Sequence, residues 1–197
     1  MKKAYEIRAS YDQKSIVLYQ AYSDAIAKPA LAENKFVTPF SFNRMTWIKP
    51  SFLWLMHRSH WGTKKGQENI LAVRIKRESW GKALSLGVLT HPEMSIYQNP
   101  EVWRSQFDNA KIHVQWDTER SLRGAGLTYY SIQVGVGREL IEEYVNEWIL
   151  DIVDISNNVK KIRSLLKSGK DKNVRKLLPI EKVYPVPEKL GKNLMIS

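Results

Sequence analysis

The 197-residue chain has no cysteine, which excludes disulfides, thiolate metal sites and a cysteine nucleophile. Its longest apolar run, Phe52–Met56, is far too short to cross a bilayer. The basic residues near the N-terminus are followed by no apolar stretch, so no signal peptide is expected and a cytoplasmic location is. There is no internal repeat and no low-complexity segment. The G-x-G-x-x-G fingerprint, a Walker lysine, a G-x-S-x-G elbow and H-E-x-x-H are all missing, and Gln133-Val134-Gly135-Val136-Gly137 is only a weak glycine signal. Of the four histidines, His57 and His60 lie three apart with no ligand-spaced carboxylate, and His91 and His113 are isolated. No metal is expected. Acidic residues are also in short supply, 20 against 31 Lys and Arg, for a net charge of +11.

What is present is ordinary for a globular chain: 43% hydrophobic and 26% charged residues, with enough length to bury a core unaided. The positive balance favours polyanionic partners, nucleic acid or phosphorylated ligands among them. Seven Trp and nine Tyr add flat surface that suits nucleotides as well as a core. The charge is uneven. Residues 151–197 carry 11 basic and 5 acidic groups, and Lys160–Lys176 holds eight basic residues against Asp171 alone. This predicts a body over 1–155 and a basic helical tail over 156–197 packed on it, not an independent domain.

Strand and helix signals alternate without a regular βαβ rhythm, which predicts a single α+β domain with a mixed or antiparallel sheet, short helices and a basic C-terminal helix. Ser15–Tyr22, Asn69–Lys76, Lys111–Asp117, Leu127–Val134 and Glu147–Ile155 read as strands, the third and fourth as a hairpin across Gly124-Ala125-Gly126. Helices are expected over Ala25–Glu33, over Ser51–Ser59 with Pro50 as first residue, and over Glu78–Gly87, Arg138–Asn146 and Asn158–Lys167. Phe36–Phe42 reads as extended and His91–Asn109 as irregular.

The densest constellation is Arg44–Trp61, where Arg44, Lys49 and Arg58 lie among Trp47, Trp54 and Trp61. Guanidinium groups grip phosphates while indoles stack on a base or nicotinamide. Trp54 reads as core. On the strand Ser15–Tyr22, Gln20 between Tyr19 and Tyr22 suits a ribose or an amide, or a satisfied place in a sheet. Arg8 suits a phosphate, or an ion pair with Asp12. Gln115 and Asp117, two apart on a strand, share a face. In the basic helix, Lys160, Lys161, Arg163 and Lys167 lie off the Val159, Ile162, Leu165, Leu166 stripe and suit a phosphate backbone. That stripe lacks aromatic anchors, so no membrane partner is expected.

Ile7–Asp12, Tyr19–Tyr22, Arg44–Trp54 (RMTWIKPSFLW), Val114–Arg120, Ile132–Gly135 and Leu177–Glu181 resemble the family known as domain of unknown function 4291, over nearly the whole chain. Members usually carry Pro where Thr118 stands and often Arg where Tyr130 stands. More distantly, Leu18–Tyr22 followed by Ile26, Ala30 and Phe36, then Arg44–Trp54 and Gln115-Trp116-Asp117, is similar in layout to ADP-ribosyltransferase-like enzymes. In those, a first strand bears His or Arg and a late strand bears a carboxylate that steadies the ribose as nicotinamide leaves. Here Gln20 and Asp117 stand at those places, with Gln133 the rival to Asp117. The resemblance implies NAD as substrate: Arg44 and Lys49 on the pyrophosphate, Trp47 on nicotinamide, and the catalytic set Gln20, Asp117, Gln115 and Gln133. Arg8, Tyr19 and Tyr22 would help hold the cofactor, and Arg58 with the tail would hold a nucleic-acid acceptor. Two other readings stay open: a non-catalytic module binding RNA or single strands, and a nucleotide-handling enzyme that does not use NAD.

Overall fold

Two sheets, one antiparallel and one mixed, meet at one strand pair, and the candidate site lies along that seam. The structure is a computed structural model and describes residues 3–196. After β1 (Arg8–Ala9), β2 (Ser15–Tyr22) runs at the edge of a three-stranded sheet in the order β2-β4-β8, with β4 (Asn69–Lys76) central and β8 (Ile149–Asp154) beyond it. The second sheet has the order β3-β7-β6-β5, built from β3 (Thr46–Ile48), β5 (Gly87–Leu89), β6 (Ile112–Arg120) and β7 (Gly126–Val136). β6 and β7 form the expected hairpin, and β5 adds parallel to β6. The Tyr19 N–H donates to the Lys49 carbonyl at 2.7 Å and stitches β2 to the segment just after β3.

Alternation decides which way each strand faces. Ile112, Val114 and Trp116 of β6 and Ile132, Val134 and Val136 of β7 enter the main core, joined by Ile16, Leu18, Val73 and Ile75 from the first sheet. The opposite face of β2 and β4 supplies Tyr19 and Ile70 to a second cluster. There they meet Phe52, Leu55 and Met56 of α2 (Phe52–Arg58) and Val159 and Ile162 of α6 (Ser156–Lys167). The amphipathic basic helix is thus docked through its apolar stripe. The rest of the tail is woven in as well: β9 (Lys182–Val183) pairs antiparallel with β1, Tyr184 and Leu194 enter the main core, and the Trp116 indole donates to the Leu194 carbonyl at 2.8 Å. Among the described residues no helix is long and apolar enough to cross a membrane.

The remaining helices are α1 (Asp24–Ala32), α3 (Arg77–Ser85), α4 (Pro100–Asp108), α5 (Arg138–Glu143), α7 (Asp171–Arg175) and α8 (Glu188–Lys192). Several differ from the sequence reading. α2 starts at Phe52, because Ser51 caps it by accepting from the Trp54 N–H, which leaves Pro50 outside. α4 lies inside the stretch read as irregular; the Asn99 side chain caps it, accepting from Val102 N–H, and Pro100 opens its first turn. α3 stops at Ser85, so Gly87 begins β5 instead of ending a helix. The helix from Arg138 loosens into a single π-helical stretch over Tyr144–Trp148. Phe36–Phe42 forms turns, not an extended segment.

Candidate functional site

A cavity of about 580 Å³ opens along the seam between the two sheets. β2 contributes Gln20 and Tyr22, β3 and its flanks contribute Arg44, Thr46, Trp47 and Lys49, and β6 and β7 contribute Gln115, Asp117 and Gln133. α2 closes one side with Trp54, Leu55 and Arg58. Nine of the residues singled out in the sequence converge here: Gln20, Tyr22, Arg44, Trp47, Lys49, Arg58, Gln115, Asp117 and Gln133.

Asp117 is the fixed anion of the site. The amides of Gln115 and Gln133 donate to its two oxygens at 2.8 Å and 2.6 Å. The strand register produces this clamp. Gln115 is two residues from Asp117 on β6, and Gln133 lies directly across from Gln115 on β7. Burial raises the pKa of Asp117 above the ordinary carboxylate value, while the Gln115 amide, the Lys49 charge and the Gln133 amide pull it down. The two late-strand candidates, Asp117 and Gln133, are thus hydrogen-bonded to each other.

Lys49 faces Asp117 in the opposite condition. It is only 8% exposed, and its ammonium has no hydrogen bond or ion pair among the described residues. The Trp54 ring lies 5.2 Å from its nitrogen. Desolvation lowers its pKa to about 8, the Asp117 charge opposing and the Arg58 charge reinforcing that fall. Arg44 and Arg58 line the same cavity and are exposed, adding two more positive charges towards its mouth. Trp47 is positioned by Gly135 across the β3–β7 pair. A Cβ on Gly135 would meet Met45 Sδ at 2.6 Å and the Trp47 ring at 3.1 Å, so only glycine lets that ring lie against the strand.

Gln20 is in the wall but fully employed. Its Nε2 donates to Tyr22 Oη at 2.9 Å, Thr46 Oγ1 at 3.1 Å and the Trp47 carbonyl at 3.3 Å, and its Oε1 accepts from Tyr144 Oη at 2.8 Å. Burial pushes the Tyr22 phenol up to about 12, so it stays a neutral member of this network.

The other expected residues lie elsewhere. Tyr19 points away from the cavity into the second core cluster, edge-on to Phe52. Arg8 lines a separate cavity of about 410 Å³ with Arg120, Glu119 and Glu181. It pairs with Glu6, not Asp12, and its guanidinium lies 5.0 Å over the Tyr129 ring. Lys160, Lys161 and Lys167 are exposed on α6, and Arg163 donates to the Trp61 carbonyl at 3.3 Å; none of these lines the cavity. Three residues had no sequence signal of their own: Thr46 in the wall and Tyr144 behind it matter through Gln20, and Gln67 has a buried side-chain oxygen with no partner among the described residues. Trp54, read as core, is buried and also lies against Lys49.

Residues 6–184 match the family described as domain of unknown function (DUF4291), and the chain belongs to that family. No curated protein matches it.

Proposed function

We propose that this DUF4291 chain is a transferase of the ADP-ribosyl type, using NAD as substrate and an anionic acceptor such as nucleic acid. The observation that carries the reading is the meeting inside one cavity of a clamped carboxylate, Asp117, with three cations, Lys49, Arg44 and Arg58, that have no ion pair among the described residues. A ligand that is negative at one end and becomes positive at the other answers both. The cavity volume falls in the range that encloses small ligands and cofactors.

In this reading Arg44, Arg58 and the charged form of Lys49 hold the pyrophosphate, and Trp47 stacks on the nicotinamide ring. As the bond between ribose C1′ and the nicotinamide nitrogen opens, its electron pair leaves with nicotinamide. The positive charge then growing on the ribose is met by Asp117, which two glutamine amides hold in place before the reaction begins. The acceptor's nucleophile forms the new bond to C1′ and gives its proton to solvent. Gln20 shapes the wall through Tyr22, Thr46 and Tyr144. The exposed lysines of α6 are the surface offered to the acceptor.

The test is thermal unfolding with and without millimolar NAD, since a ligand bound only by the native state raises the midpoint, followed by release of nicotinamide. A rise that Arg44→Ala removes, with turnover falling about 10²–10³-fold in Asp117→Ala, is expected. A salt-sensitive response to single-stranded RNA, indifferent to Asp117→Ala and absent with NAD, would instead establish the binding-module reading that the α6 lysines favour.

A further inference from the structure

The reading above uses Lys49 only for its charge, and the surroundings of this residue ask for more. Its stem is buried, yet its nitrogen opens to the cavity with no protein partner among the described residues. Here the one nearby carboxylate, Asp117, has both oxygens engaged by glutamine amides, and the nitrogen of Lys49 rests against an indole face. Trp54 is its apolar neighbour in an otherwise largely polar lining. An amine so placed, with its pKa lowered to about 8 by desolvation and the Arg58 charge, has a sizeable neutral, nucleophilic fraction near neutral pH, as desolvation beside another cation does for amines that attack carbonyl carbons.

The rest of the cavity says what carbon it would meet. Arg44 and Arg58 call for an anionic group. Asp117, with two of its roughly four acceptor positions used, and the glutamine amides around it call for hydroxyls. We infer that Lys49 is the nucleophile of a site for anionic sugars, its Nζ capturing the carbonyl carbon of an aldose phosphate or of ADP-ribose as an imine. In the step, the neutral amine adds its lone pair to the carbonyl carbon and the oxygen takes up a proton. The carbinolamine then loses water, so both amine hydrogens leave with that oxygen and a C=N bond remains. No oxidant or further reactant is needed. The inference rests on the cavity as a site for anionic ligands, but not on NAD as its substrate.

Incubation of the full chain with ribose 5-phosphate or ADP-ribose and cyanoborohydride, followed by intact mass and peptide mapping, reads the capture directly. The wild-type map should place the adduct on Lys49, forming at least about tenfold faster than on any other lysine, since at pH 7.5 far more of this amine is neutral. Unphosphorylated ribose should react at least about tenfold more slowly, for want of the arginine contacts. Lys49→Arg keeps the charge, cannot form the imine, and should lose the fast adduct. Adducts spread over the surface lysines with no preference for Lys49 would overturn the inference, as would an unchanged rate in Lys49→Arg. Nicotinamide release without capture would leave the transferase reading standing and this one fallen. Capture without any response to NAD would do the reverse.

Discussion

Gln20 and Lys49 sit in the wall of the same cavity, are almost equally buried, and have been treated in opposite ways. Every polar atom of the Gln20 side chain has a partner, drawn from three other parts of the chain: Tyr22, the β3 pair Thr46 and Trp47, and Tyr144. The ammonium of Lys49 has none among the described residues and opens to the cavity instead. A satisfied buried polar group is scaffold, because it fixes the positions of its neighbours and has nothing left to offer a ligand. A polar group left open to a cavity has its hydrogen-bonding capacity free for what enters there. The difference separates what builds this site from what it is built for.

Removing Gln20 should give the largest effect. Gln20→Ala strands the hydroxyl of Tyr144 and loosens Thr46 and Tyr22, so stability should fall by about 3–5 kcal/mol. Urea unfolding measures it, and a loss below about 1 kcal/mol would mean that the network is not structural.

Lys49→Met should move stability the other way. Folded Lys49 titrates at about 8, against 10.5 for a free lysine. Below pH 8 both the folded and the unfolded chain carry the proton, and the folded state bears the full cost of burying it. Between pH 8 and 10.5 the unfolded chain binds more protons, so this cost is relieved as pH rises. The variant should therefore be more stable by up to roughly 3 kcal/mol at pH 7, with the advantage shrinking to nothing near pH 10.5. An advantage that does not change with pH would show that lost packing, not charge, governs the position.

The smallest effect belongs to Gln67, whose side-chain oxygen, unlike the Lys49 nitrogen, is sealed in with no partner among the described residues. Gln67→Met removes the unpaired buried oxygen and should stabilise by about 1 kcal/mol. A comparable loss would mean that its amide is anchored in solution.

How far this was legible in the sequence follows the range of the interactions. β2 and β4 were visible where they lie, and β6 in its first part, its end running three residues past the expected Asp117, because facing inward or outward is a local matter. So was the hairpin that brings Gln133 beside Gln115. The convergence of Arg44, Trp47 and Lys49 with Asp117 could be suspected from residue types. The division of labour could not. Tyr144 is 124 residues from Gln20, so nothing near Gln20 announces that it is satisfied, and nothing near Lys49 announces that it is not. α4 was missed although Asn99 and Pro100 are a readable start signal, because its turn-rich surroundings outweighed two residues. Tyr19 and Gln20 are neighbours, and a strand must send them to opposite faces: one became core and the other cavity wall.

The first residue of α2 is held from far away. The Phe52 N–H donates at 2.8 Å to the carboxylate of Glu181, next to the β9 strand that pairs with β1. In a chain being synthesised from its N-terminus, β2, β3 and α2 are made early, but this anchor of α2 arrives about 130 residues later. At typical rates of about 5–20 residues per second, that interval lasts from several seconds to nearly half a minute. During it, the helix that carries Trp54 and Arg58 lacks its last fastening. Closing of this cavity wall is thereby tied to a residue made late in synthesis, and a ribosome-bound fragment ending before Glu181 lacks this hydrogen bond to α2.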